Sequence, residues 1–261
     1  MLTASKGGVF PLNEVEKWLV RRRQGAGHRL RLFCLPHAGG SASMFASWGQ
    51  KLPPEVEVCA IQFPGRENRI AEEPIARMDL MAFIIGEIVS NLDGTDFAIF
   101  GHSTGAIIGF EVARWLRRNR RANPVKLLVA GSNAPHIADK TPPIHRLPEK
   151  EFLAAIHSLE GTPPEVLANS QLVELIMPML RADIALLETY VHCEEEPLAC
   201  DIHAFGASDD KVVSLADLQG WSIHTGGRFE MTILEGNHFF VRTSADFMCH
   251  LRTALEESVK S

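Results

Sequence analysis

Asp96-Phe97-Ala98-Ile99-Phe100-Gly101-His102-Ser103-Thr104-Gly105 is the stretch on which the fold turns. A short apolar run ends in Gly101-His102-Ser103-Thr104-Gly105, and an amphipathic segment from Ala106 to Arg118 follows. A G-x-S-x-G between a buried strand and a helix is the pattern of a nucleophile elbow. The turn is sharp and strained, so glycines flank the serine and its hydroxyl is pushed out at the top of a sheet. The pattern alone is weak: at ordinary Gly and Ser frequencies a chain this long yields roughly 0.1 chance matches. Its surroundings carry the weight.

Apolar, β-branched or aromatic runs recur on both sides of the elbow. Arg29–Leu35, Val56–Phe63, Asp96–Gly101, Val125–Gly131, Asp201–Gly206 and Phe229–Leu234 read as strands. Met78–Leu92, Thr104–Asn119, Ala216–Trp221 and Ala245–Val259 read as helices. Near-continuous apolar strands are expected when helices cover both faces of a parallel sheet. The alternation predicts an α/β fold, a doubly wound and mostly parallel central sheet. The site then lies at the carboxyl ends of the strands.

One segment breaks the rhythm. From about Pro135 to Glu196 no strand is evident, and Pro142-Pro143, Pro148, Pro163-Pro164 and Pro178 divide it into short helical pieces. Gln171–Tyr190 is apolar on more than one face, with a kink expected at Pro178. The segment leaves from the carboxyl end of Val125–Gly131, so it reads as a helical lid over an apolar chamber, or more plainly as a helical layer on the core. The expected organisation is a single domain over residues 1–261, with this insertion at about 135–196. Residues 1–28 form an extension of unknown role, in which Phe10–Arg23 reads as a short amphipathic helix.

The 261 residues suffice for one sizeable core, and the net charge of −6 argues against nucleic acid as the main partner. Met1–Gly27 has no apolar region of signal-peptide length, and charges interrupt Met81–Leu92 and Leu172–Leu187, so no membrane partner is expected. Five scattered cysteines, Cys34, Cys59, Cys193, Cys200 and Cys249, fit free thiols in a reducing cytoplasm. His192, Cys193, Cys200 and His203 match the spacing of no ordinary zinc site.

A serine needs a base, and the base needs a carboxylate. In hydrolases of this architecture the order is Ser, Asp or Glu, His. Strand Asp201–Gly206 runs into Ala207-Ser208-Asp209-Asp210-Lys211-Val212, and strand Phe229–Leu234 into Glu235-Gly236-Asn237-His238. His238 is the expected general base. Asp209, three residues past Gly206, is the expected acid, with Asp210 a solvated or loop-capping neighbour. One oxyanion donor should be the backbone N–H of Thr104. The second should come from Leu35-Pro36-His37-Ala38-Gly39-Gly40-Ser41, with Ala38 N–H the candidate.

These motifs together, Pro36–Ala42 with Phe45 and Trp48, Phe63-Pro64-Gly65-Arg66-Glu67 with Arg69, Gly101–Gly105 and Gly236–Phe240, resemble the type II thioesterases. The likeness covers nearly the whole chain from Arg29 onward. It implies an α/β-hydrolase fold with a mobile helical lid. It also implies hydrolysis of acyl or aminoacyl thioesters on the phosphopantetheine arm of carrier proteins, clearing misprimed or stalled units of polyketide, nonribosomal peptide and fatty acid synthesis. The acyl or peptidyl carrier protein is the expected partner, no metal or cofactor is required, and a cytoplasmic monomer is expected. Thr104 stands where methionine is usual, which touches the acyl pocket but not the backbone donor. Asn237 stands where a second glycine is usual, and the turn must tolerate it.

Arg114, Arg117, Arg118, Arg120 and Arg121 read first as charges complementing a helix C-terminus, and second as a dock for an acidic carrier. Arg66 reads as part of an ion pair or loop clamp. Competing functions are a carboxylester hydrolase on free small esters, a chain-releasing thioesterase (less expected because no carrier segment precedes the chain) and a non-catalytic scaffold, which the intact Ser, Asp and His set disfavours.

Overall fold

Val56–Ile61 and Lys126–Ala130 are buried at every residue, which is the mark of strands covered on both faces. The computed structural model describes residues 12–22, 27–92, 94–137, 141–158 and 169–260. In chain order its helices and strands are α1 (Leu12–Trp18), β1 (Leu19–Arg22), β2 (Leu30–Leu35), α2 (Trp48–Lys51), β3 (Val56–Ile61), α3 (Met78–Ser90), β4 (Asp96–His102), α4 (Thr104–Arg118), β5 (Lys126–Ala130), α5 (Glu149–Ser158), α6 (Ser170–Glu188), β6 (Asp201–Ala207), α7 (Leu215–Gln219), β7 (Phe229–Leu234), α8 (Phe240–Thr243) and α9 (Phe247–Lys260).

The seven strands form one sheet in the order β1-β3-β2-β4-β5-β6-β7. Only the β1 pairing is antiparallel. One apolar cluster lies between the sheet and helices α3 and α4, including Phe33, Ile85, Ile99, Ile108 and Leu127. The opposite face packs Trp48, Phe100, Phe205, Phe247 and Leu251 against the α2 and α9 side. Order reverses between β2 and β4: the chain steps outward from β2 to β3, then returns to β4 and continues the other way. A cleft opens at such a switch point, beyond the strand carboxyl ends. Leu35 pairs with Gly101, so β2 and β4 finish level and deliver their following loops to the same place.

Two expectations are corrected here. The helix expected over Phe10–Arg23 covers only Leu12–Trp18 (Phe10 and Arg23 lie outside the described residues). The chain then enters β1, where Leu19, Val20, Arg21 and Arg22 pair with Ile61, Ala60, Cys59 and Val58. Burial of Trp18 and Leu19 fixes that turn into the sheet edge. Second, Pro178 does not divide the insertion into separate pieces, because α6 runs through it as one helix. Pro178 has no N–H to offer the Glu174 carbonyl, and both residues lie on the exposed side of the helix.

Helices α5 and α6 lie between β5 and β6 in the chain and share a small core of Phe152, Ile156, Met179 and Leu180. Four of the five arginines at the end of α4 are paired within the chain. Arg114 pairs with Glu111 and Glu195, Arg117 with Glu195, Arg118 with Glu111 and Glu195, and Arg121 with Glu87. Glu195 follows α6, so this network ties the end of the insertion to α4.

Candidate active site

Ser103 sits between β4 and α4 with φ 53° and ψ −118°. Few L-residues adopt that conformation, and it is held by its surroundings. The Ser103 N–H donates to the Ala130 carbonyl at 2.8 Å, which ties the elbow to the end of β5. The flanking glycines answer close approach: a Cβ on Gly101 would strike the Gly105 carbonyl, and one on Gly105 would strike the Leu35 carbonyl. The first turn of α4 therefore lies directly against the ends of β2 and β4.

His238 lies between Ser103 and a buried carboxylate. Its Nε2 is 3.1 Å from Ser103 Oγ, and its Nδ1 is 2.9 Å from Asp210 Oδ2. The structure departs here from the expected placement: Asp210, not Asp209, reaches the histidine. Strand β6 extends one residue past Gly206, because Ala207 pairs with Leu234. The carboxylate three residues beyond the strand end is then Asp210. Asp209 is exposed and accepts from Ser208 Oγ, while Asp210 has a 1% exposed side chain. Oδ1 of Asp210 accepts from the N–H groups of Val212 and Val213 at 2.8 and 3.1 Å. Burial alone would raise its pKa. The hydrogen bond and charge of His238, with the two N–H donors, outweigh it and hold the carboxyl below the ordinary value.

The turn before His238 uses Gly236 at φ +130°. Asn237 takes no positive φ, so the strain anticipated there is absent. Its Oδ1 instead accepts the N–H of Phe239 at 3.0 Å. His102 is fully buried and places Nε2 2.9 Å from the His238 carbonyl, steadying the backbone of the base. Burial, then the nearby His37 and His238, push the His102 pKa well below its ordinary value, so it is a neutral donor to that carbonyl.

Ala38 and Thr104 both follow strand ends that lie side by side. Thr104 opens α4, so its N–H is among the donors with no intrahelical acceptor. Its side chain is buried and its hydroxyl has no hydrogen-bond partner among the described residues. The loop carrying Ala38 is clamped from the segment after β3. Gln62 Oε1 accepts the Ala42 N–H at 2.7 Å, Glu67 Oε1 accepts from Ser41 Oγ at 2.6 Å, and Arg66 Nη1 donates to the Gly40 carbonyl at 2.8 Å. The Pro-Gly-Arg-Glu segment thus supports the loop beside the serine. Asp183 of α6 joins the same cluster through Arg66. Sequence reading passed over Asp183; the available signal was a lone carboxylate within the apolar run Leu180-Arg181-Ala182-Asp183-Ile184-Ala185.

Four further histidines have partners of their own. His136 Nδ1 lies 2.8 Å from His224 Nε2, and His192 packs on His224 with ring centroids 5.2 Å apart. His203, within β6, stacks on Phe205 and meets Thr232 Oγ1 at 2.8 Å. Among the described residues no group of three or more His, Cys, Asp or Glu side chains is arranged to hold a metal ion.

Burial, then the neighbouring His136, His192 and Arg114, lower the His224 pKa from 6.5 to about 4. The unfolded chain therefore binds a proton on this group between about pH 6.5 and 4 that the folded chain refuses. Folding stability should drop as the pH is lowered through that window, by at most about 1.4 kcal/mol per pH unit from this group. His224→Gln, which cannot take the proton, should flatten the slope of denaturant-derived stability against pH in that range. An unaltered slope would remove His224 from the acid lability.

Compared with known proteins, residues 30–254 match the model of the thioesterase domain family. The chain is 39% identical over 253 residues to the gramicidin S biosynthesis protein GrsT of Aneurinibacillus migulanus, covering 95% of this chain and 99% of that one. It superposes with a TM-score of 0.80 on RedJ, a thioesterase of the prodiginine pathway in Streptomyces coelicolor, at 33% identity over 87% of this chain and 91% of RedJ. The type II thioesterase BorB from the borrelidin biosynthetic cluster also superposes at 0.80, with 32% identity over 90% of this chain and 96% of BorB. No helix among the described residues is long and apolar enough to cross a membrane.

Proposed function

The chain belongs to the thioesterase family, an α/β-hydrolase that cleaves thioesters, and from that premise we propose that it is a discrete type II enzyme acting on carrier-bound acyl groups by a serine mechanism. The observation that carries the mechanism is His238 lying 3.1 Å from Ser103 Oγ and 2.9 Å from Asp210 Oδ2. Ser103 Oγ attacks the thioester carbonyl as its proton passes to His238 Nε2. Asp210 holds the proton on Nδ1 and stabilises the imidazolium. The oxyanion is received by the N–H groups of Thr104 and Ala38, each such donor being typically worth about 3–4 kcal/mol. The carbon–sulfur bond then breaks, and the sulfur leaves as a thiol with the proton from His238. Water, giving its proton to His238, attacks the acyl-enzyme; the carboxylic acid departs and Ser103 regains its proton.

The discrete, editing role is supported by the company of relatives. GrsT is named for gramicidin S biosynthesis, RedJ for prodiginine biosynthesis and BorB for borrelidin biosynthesis. The partner would be an acyl or peptidyl carrier protein bearing the thioester on phosphopantetheine. Four of the α4 arginines, Arg114, Arg117, Arg118 and Arg121, already face Glu111, Glu195 and Glu87, which favours a structural role for them over a carrier dock. Helices α5 and α6 serve as the lid, since they arise beside the site and bury a core of their own. The five free cysteines suit a reducing compartment, the cytoplasm.

The test is a matched series from acetyl to decanoyl, presented as acyl-carrier thioesters, acyl-pantetheine thioesters and simple oxoesters. We expect kcat/KM for the carrier-bound thioester to exceed that for the matched oxoester by at least about tenfold. A preference for the oxoester would replace this reading with a carboxylester hydrolase.

A further inference from the structure

We infer that Asp183, on the insertion helix α6, is a positioning residue that sets the oxyanion donor of Ala38, so that the oxyanion site is complete only with α6 docked. The inference rests on the reading above that Ala38 supplies one of the two donors.

The peptide unit joining Ala38 to Gly39 is held at both ends. Its carbonyl lies 2.8 Å from His37 Nδ1, and its N–H donates to Asp183 Oδ2 at 2.8 Å. Burial lowers the His37 pKa, although the contact with the Ala38 carbonyl opposes that shift. The ring is therefore neutral, and its single proton sits on Nδ1 to bond the carbonyl. A peptide unit is a rigid plane, so bonds at both of its ends hold its orientation. His37 precedes Ala38 in the chain, so the bond from its ring to the Ala38 carbonyl closes a ring across the Ala38 Cα and restrains the peptide plane that carries the Ala38 N–H. One residue on, the Gly40 carbonyl accepts from Arg66 Nη1 at 2.8 Å. Arg66 in turn grips Asp183 through both terminal nitrogens, Nη1 to Oδ2 at 2.8 Å and Nη2 to Oδ1 at 2.7 Å. The two side chains are only 4% and 2% exposed.

A buried ion pair used solely for stability has no need to aim one carboxylate oxygen at a loop N–H 144 residues away. Here every acceptor site in use on Asp183 goes to Arg66 or to that N–H. The contact is also tight: Gly39 has φ +76°, and a Cβ on it would lie 2.8 Å from Leu180 Cδ2, one turn before Asp183 on the same face of α6. Arg66 belongs to the body of the sheet and Asp183 to the insertion, so the loop between them is gripped from both. A helix that covers the substrate and an anchor for the oxyanion donor are thereby one element.

The experiment uses the full chain with Asp183→Asn and Asp183→Glu. Asn keeps the size but turns an N–H₂ toward a donor, so either Gly39 or Arg66 loses its acceptor. Glu keeps the charge pair and moves the carboxylate by one methylene. Both are assayed on butyryl-N-acetylcysteamine and on p-nitrophenyl butyrate, with inhibition by butylboronic acid, which forms a tetrahedral adduct on Ser103. We expect kcat to fall about ten- to hundredfold, KM to stay within about twofold, and the boronate Ki to rise in proportion to the loss of kcat. Unchanged kcat in a folded variant overturns the inference, as does a loss of kcat with the boronate Ki unmoved. Should Asp183→Asn not fold, Asp183→Glu decides by the same criteria. A wild-type chain that cleaved the oxoester but not the thioester would refute the proposed substrate class alone, because the proportionality would still be read on the oxoester.

Discussion

Asp210→Asn should lower kcat by about 10³–10⁴-fold with little change in KM or stability. Asparagine keeps the side-chain volume, and its oxygen can still accept from the Val212 and Val213 N–H groups that shape the loop. Its N–H₂ would then face His238 Nδ1, where the carboxylate now accepts at 2.9 Å. The imidazole must respond by carrying its proton on Nε2. A protonated Nε2 cannot take the proton of Ser103, so the enzyme is folded and occupied but starts each turnover in the wrong tautomer. Asp209→Asn is the control, since that side chain is exposed and its hydrogen bond is with Ser208 Oγ. It should stay within about twofold of wild type, as surface changes away from special features usually do. Steady-state kinetics of the two variants would decide between adjacent carboxylates. A collapse in Asp209→Asn with Asp210→Asn near normal would return the acid to Asp209.

Ser103→Ala should abolish turnover, with a loss of at least about three orders of magnitude in kcat, and should abolish labelling by a fluorophosphonate. The acyl-enzyme route needs an oxygen at this position, and His238 would be left with no proton to accept. The fold should survive, because Ser103 is fixed by its N–H bond to Ala130 and by the packing of α4 on β2 and β4, neither of which uses the hydroxyl. Ser103→Gly extends the test to the strain. Glycine reaches φ 53° and ψ −118° without steric cost, so this variant should be equally inactive yet more stable than Ser103→Ala by about 1–3 kcal/mol. Denaturant unfolding of the pair would measure it. Equal stabilities would mean that the elbow stores no strain, and residual labelling at Ser103→Ala would place the nucleophile elsewhere.

The sequence by itself determined the parts of this protein that depend on local order. Continuous apolar runs specified the central parallel strands, and each predicted strand lies within about two residues of its place; β3 and β5 are buried at every residue, which leaves little choice of residue type, whereas the edge strand β7 is partly exposed. Gly101-His102-Ser103-Thr104-Gly105 marked the elbow, because only glycine allows the backbone approaches found at Gly101 and Gly105. His238 was legible as the tip of a tight turn after the last strand. The tertiary structure decided what depends on where a strand stops and what lies across space from it. Asp209 and Asp210 are neighbours of one residue type, and the pairing of Ala207 with Leu234 selects the one turned inward. A strand end is a property of the sheet, since side chains alternate faces and a shift of one residue reverses which is buried. The β1 edge strand depends in the same way on an available partner in β3. Asp183 shows the limit most clearly. Nothing near it in the chain announces a loop N–H 144 residues away, and only the packing of α6 against the Ala38 loop gives a buried carboxylate its partners.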